Sequence, residues 1–206
     1  MKVLLINGSP HQASCTYTAL KECADSLKQE GIQTEILWLG VLPVAGCIAC
    51  GSCKSTGRCF VDDQVNQVVE QLPQIDGIIV GSPVYYSAPA GQLVSFLDRL
   101  FYAAGRTMAM KAGASVVSCR RGGATAAFEQ LNQYFLMNNM PLAPSRYWNQ
   151  VHGNTPEEAR QDLEGLHTMR VLGKNMAFML KAFQMARANG LSNPEYGEKV
   201  STNFIR

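Results

Sequence analysis

Two near-continuous apolar runs, residues 75–81 (IDGIIVG) and 113–119 (GASVVSC), constrain this chain more than any other feature. A strand made from such a run has no wet side, so it must be covered on both faces, as in parallel sheets flanked by helices. Residues 2–7 form a third apolar run ending at Gly8, residues 32–39 alternate as a further strand, and residues 142–148 repeat the pattern more weakly. Helical periods lie between them at about 16–29, 90–104 and 124–137. Asp62 and Asp63 open another helix, where their charge suits the positive end of its dipole, and it runs to about Leu72 before Pro73. Strands alternating with helices at this pace predict an α/β fold with a doubly wound sheet of about five strands. The length of 206 residues fits a single domain. The last element has Thr155 as a cap and Pro156 at its first position, and is expected to continue to Asn189. Leu163, Leu166, Met169, Leu172, Met176, Met179 and Phe183 give that helix one apolar stripe. The domain thus spans residues 1–190, with a tail at 191–206.

Composition removes several classes of function. A net charge of +2 leaves no electrostatic footprint for nucleic acid. No segment approaches the roughly 20 apolar residues of a membrane span. The start, MKVLLINGSP, is too short in apolar residues for a secretory signal, so a cytoplasmic protein without a membrane partner is expected. In a reducing compartment, seven cysteines point to metal or redox chemistry rather than structural disulfides.

Four of the seven, Cys47, Cys50, Cys53 and Cys59, fall within thirteen residues in a loop at 46–60. Their spacing, C-x2-C-x2-C-x5-C, is more compact than the two separated knuckles that hold zinc, and favours an iron-sulfur cluster. Zinc and thiol-disulfide chemistry stay open alternatives on spacing alone. Cys15 sits at a helix start, where the dipole favours a thiolate, although its expected role is to present its backbone N–H. Cys23 and Cys119 read as packing residues.

In open α/β sheets the ligand lies beyond the carboxyl ends of the strands. The first such loop, NGSPHQASCT, sets Gly8, Ser9, Ser14 and Thr16 before a helix, which suits a phosphate. It lacks both the G-K-[ST] ending of a nucleoside-triphosphate loop and a G-x-G-x-x-G. The third strand leads into GSPVYYS, where Gly81 and Pro83 read as a turn and Tyr85 and Tyr86 suit a flat conjugated ring. The fourth leads into SCRRGGAT, where Gly122 and Gly123 permit close backbone approach and Arg120 or Arg121 brings positive charge.

Together GSPHQASCT, GSPVYY, SFLDRLF and CRRGG resemble the NAD(P)H-dependent FMN reductase group of flavodoxin-like proteins. The cysteine loop resembles that of the iron-sulfur flavoprotein branch, which carries FMN and a [4Fe-4S] cluster. The resemblance implies a five-stranded parallel sheet of order 2-1-3-4-5 and a homodimer or homotetramer in which flavin and cluster approach across subunits. It implies that Ser9, Ser14 and Thr16 bind the FMN phosphate with Cys15 beside them, and that His11 stands where the family commonly has arginine. Pro83, Val84, Tyr85, Tyr86 and Ser87 would line the flavin ring, with Arg120, Gly122 and Gly123 on its other side. Cys47, Cys50, Cys53 and Cys59 would be cluster ligands. The expected function is an FMN-dependent oxidoreductase passing electrons from NAD(P)H to a small-molecule acceptor, with no catalytic side chain. One alternative is electron transfer with a redox protein such as ferredoxin; another is a zinc-binding or redox-sensing module without flavin.

Overall fold

The apolar runs become strands sealed on both sides, in a computed structural model that describes residues 1–198, 200–202 and 204, with residue 106 described by its backbone alone. In order, the elements are β1 (Lys2–Asn7), α1 (Cys15–Gln29), β2 (Gln33–Trp38), α2 (Cys53–Thr56), α3 (Gln64–Gln71), β3 (Gly77–Tyr85) and β4 (Ala88–Pro89). They continue with α4 (Gly91–Ala104), β5 (Ala112–Cys119), α5 (Ala124–Met137), β6 (Gln150–His152), α6 (Pro156–Ala159) and α7 (Leu163–Ala188). The sheet runs β2-β1-β3-β5-β6, all parallel, with the two-residue β4 folded back antiparallel on β3. Without β4, this is the expected order 2-1-3-4-5.

Alternation along each strand divides the core in two. Leu4 and Ile6 of β1, Ile78 and Val80 of β3, and Val117 of β5 pack against α3, α4 and α5. Val3, Leu5, Ile79, Ala114 and Val116 face α1 and α7. Each strand feeds both layers, which is why its sequence has no polar side.

Three expectations need correction. β3 runs on to Tyr85, so Gly81 and Pro83 are strand residues rather than a turn, and the chain reverses at Tyr86 and Ser87. The fifth strand is displaced: Leu142 makes only an isolated bridge to Gly113, and regular pairing resumes at Gln150–His152. Pro141 and Pro144 carry no N–H, so a ladder through them is interrupted. The C-terminal helix is also two helices. Thr155 caps the single turn of α6, and α7 starts afresh from Asp162, which accepts the Gly165 N–H (2.9 Å) and the His152 N–H (2.7 Å). An aspartate so engaged competes with helix continuation and supplies a new cap. Of the expected stripe, Met169, Leu172 and Met176 are buried, whereas Leu163 at the new start is exposed.

Candidate functional site

The carboxyl ends of β1, β3 and β5 carry three loops that touch. Gly8 N–H donates to the Gly81 carbonyl at 2.9 Å, joining the first loop to β3. Asn7 shapes that loop, accepting the Ser9 N–H (3.1 Å) and donating to the Gln12 carbonyl (3.2 Å). Ser9 is buried; its hydroxyl accepts the His11 N–H, and its carbonyl accepts the Trp38 indole N–H at 2.8 Å. Ser14 caps α1 by accepting the Tyr17 N–H. The N–H groups of Cys15 and Thr16 have no acceptor among the described residues, so the helix start presents free donors, the arrangement that binds anions. The Thr16 hydroxyl is buried against Ser118 of β5 at 2.7 Å, which leaves its amide for the loop, while His11 is exposed.

The second and third loops form a shelf. Tyr86 (φ 50°) and Ser87 (φ 62°) are consecutive left-handed residues without being glycines. Two positive φ values match the turn that closes a two-residue hairpin, yet each costs a non-glycine residue of order 1 kcal/mol. Strain held this way exposes Tyr86 fully and Tyr85 by half. Gly123, at φ 87°, lies directly under the turn: a Cβ there would stand 2.9 Å from Ser87 Cα and 3.1 Å from Val84. Glycine is required both by conformation and by space. Beside it Arg120, Arg121 and Gly122 are exposed.

At the Cys15 thiol the helix dipole does not prevail. Burial holds its thiol above the usual value, outweighing its own N–H, with Glu158 and Glu157 adding to the rise, and Sγ lies 3.5 Å from the Gly153 carbonyl. It is not a ready thiolate. Burial likewise pushes the Cys23 and Cys119 thiols up, as suits packing residues.

The cysteine loop makes a second centre. Cys47, Cys50, Cys53 and Cys59 are all free and line one cavity of about 350 Å³ with Ile48, Phe60 and, from α4, Arg99 and Tyr102. Left-handed Ala49, Gly51 and Gly57 curl the chain around it. The cavity lies on the flank of α4, and none of the three loops at the strand ends lines it. Among the described residues, no three His, Cys, Asp or Glu side chains are gathered closely enough to hold a metal ion. Four free thiols around one cavity nevertheless form a donor set of the kind that surrounds a cluster.

Arg99 organises this centre, and the sequence reading passed over it. Its side chain is only 1% exposed. The guanidinium grips Asp63 through two bonds (2.7 and 2.8 Å) and donates to the carbonyls of Val61 (2.9 Å) and Ala45 (3.3 Å). Its remaining donor, Nε–H, points at Cys59 Sγ at 3.1 Å. A neutral thiol is a poor acceptor, so this bond gains most when Cys59 is an anion or a metal ligand. Asn66, also buried, accepts the Cys59 N–H (2.8 Å) and donates to the Cys59 carbonyl (3.0 Å). Cys59 is therefore fixed, while Cys47 and Cys50 are exposed. The available signal was a pair of adjacent charges, Asp98 and Arg99, set between the apolar residues of LVSFLDRLF.

A sequence family described as NADPH-dependent FMN reductase matches residues 1–155. The chain belongs to this FMN reductase family. Among its relatives, an iron-sulfur flavoprotein of Methanocaldococcus jannaschii is 32% identical over 189 residues, covering 88% of this chain and 98% of its own. An iron-sulfur flavoprotein of Methanosarcina thermophila is 27% identical over 191 residues, covering 91% and 99%. At the level of fold, RosB with a bound 8-demethyl-8-formylriboflavin-5'-phosphate superimposes with a TM-score of 0.68 at 13% identity, covering 100% of this chain and 94% of that one. The free amides at the start of α1, the exposed tyrosines and the Gly123 cradle have the chemistry that a phosphate and a flat ring require. No helix among the described residues is long and apolar enough to cross a membrane.

Proposed function

We propose that this flavin oxidoreductase holds FMN on the β1, β3 and β5 loops and a [4Fe-4S] cluster on Cys47, Cys50, Cys53 and Cys59, taking electrons from NAD(P)H and releasing them singly to an acceptor. The observation that carries the reading is the set of four free cysteines around one cavity, with a buried arginine donating to one of them. Bound FMN supplies hydride chemistry and the cluster supplies one-electron relay. The chain itself binds and positions. The Cys15 and Thr16 amides and the Ser14 cap receive the phosphate end, Pro83 to Ser87 with Gly122 and Gly123 support the ring, and Arg120 brings positive charge to its edge. Ser9 and His11 shape the phosphate loop. Arg99 and Asn66 hold Cys59. No side chain is needed as acid, base or nucleophile.

The same reading includes a homo-oligomer, because the cysteine cavity shares no lining residue with the flavin loops of its own chain and a second copy would bring a flavin to it. A second reading, ferredoxin-linked transfer without NAD(P)H, draws support from the relatives' names as iron-sulfur flavoproteins. Stopped-flow reduction of oxygen-free protein separates the two. Flavin bleaching by NADH or NADPH supports the first, and bleaching by reduced ferredoxin alone overturns it.

A further inference from the structure

The Arg99 guanidinium has five N–H groups, and every one of them has a partner. Nη1 donates to Asp63 (2.7 Å) and to the Ala45 carbonyl (3.3 Å), and Nη2 to Asp63 (2.8 Å) and to the Val61 carbonyl (2.9 Å). Those four bonds fix the plane of the group, so they also fix the aim of Nε–H at Cys59 Sγ, 3.1 Å away. Asn66 clamps the Cys59 backbone through its N–H (2.8 Å) and its carbonyl (3.0 Å). Donor and sulfur are thus both held in place.

The charges around the cysteine cavity are lopsided. Among the described residues no carboxylate lines it, and its two cations differ: Lys54 is exposed, whereas the Arg99 side chain is 1% exposed. Water screens Lys54. It also reaches Asp63, which is 34% exposed and engages the Nη fork, a different edge of the guanidinium from the one that meets the sulfur. The buried positive charge therefore acts on Cys59 at close range with its counter-ion on the far edge.

Hydrogen bonds to the sulfurs and net charge nearby are levers by which a protein sets the potential of an iron-sulfur group. Resting on the reading that Cys47, Cys50, Cys53 and Cys59 hold a cluster, we infer that Arg99 is the positioning residue that raises its reduction potential, acting through Nε–H and Cys59 Sγ. Accepting one electron from reduced flavin adds one negative charge to the cavity, and a buried donor at one sulfur favours its arrival. Asp63 opposes this from the Nη edge, so the two members of the pair pull the potential in opposite directions.

An oxygen-free redox titration followed by EPR tests the inference, with iron, acid-labile sulfide and FMN counted on each sample. Arg99→Met should lower the cluster potential by about 59 mV, a tenfold shift in a one-electron equilibrium. Arg99→Lys, which keeps the charge but not the planar donor, should recover part of that loss. Asp63→Asn, which still caps α3, should raise the potential. The flavin couple, on loops that do not line this cavity, should keep its wild-type value in all three. If a variant loses its iron, wild-type protein carrying arginine labelled with heavy nitrogen decides, because the EPR signal of its reduced form should show coupling to the label. Unchanged potential in iron-replete Arg99→Met, shifts of the same sign in Arg99→Met and Asp63→Asn, or no coupling to labelled arginine would each overturn the role of Arg99 while leaving the cluster reading intact. Wild-type protein without iron would overturn that reading and the inference with it.

Discussion

Arg99 and Asp63 form an unequal pair, and the inequality fixes which substitution costs more. The arginine side chain is 1% exposed and the aspartate 34%. Removing the aspartate strands a buried cation, whereas removing the arginine leaves a carboxylate that water reaches. Asp63→Asn, which still caps α3, should cost about 3 kcal/mol, and Arg99→Met should cost less, both read from urea unfolding of cluster-free protein. The opposite order would mean that the arginine acts mainly through packing. Exposure also sorts the thiols. In metal-free protein, iodoacetamide should label Cys47 and Cys50 well before Cys15, Cys23 and Cys119, as followed by mass spectrometry. At this scale the cysteines, the helix-capping Ser14 and the glycine at 123 were legible in sequence, because each has a local geometric reason. Arg99 was not. A charge on a helix normally reads as a solvated face, and only the fold reveals that Asp63, Cys59 and Asn66 surround it.

The hairpin of β3 and β4 is the element under strain. Ser87→Gly relieves one left-handed residue and should raise stability by about 0.5 to 1 kcal/mol in thermal or urea unfolding, while loosening FMN binding through a less rigid shelf. Tighter FMN binding by Ser87→Gly would contradict the role of the turn as a fixed support. Elements built on simple periodicity were read closely from sequence: α1, α4 and α5 fall within a residue or two of their expected limits. Those that missed depend on specific side-chain competition. The α6–α7 break follows from Asp162 capturing two N–H groups, which an apolar stripe passing through it conceals. The displaced fifth strand follows from prolines that interrupt a ladder whose partner is far away in sequence.

In the whole molecule, two centres share one sheet without sharing a wall. The three touching loops gather at the strand ends, and the cysteine cavity opens on the flank of α4, rimmed by exposed Ile48, Phe60 and Tyr102. Strand order followed from the family resemblance alone, and the loops at the carboxyl ends from the rule that open α/β sheets bind ligands there. The flank position of the cysteines did not, since a loop of eighteen residues without clean period, 43–60, has no sequence rule for its direction. The central claim is that this one chain carries both a flavin and a cluster. Its most direct test is elemental and flavin analysis of oxygen-free protein beside Cys50→Ser. The account predicts about four iron and four acid-labile sulfide with one FMN per chain, and iron lost but FMN kept in Cys50→Ser. Iron absent from oxygen-free wild-type protein, zinc in its place, or iron unchanged in Cys50→Ser would contradict it.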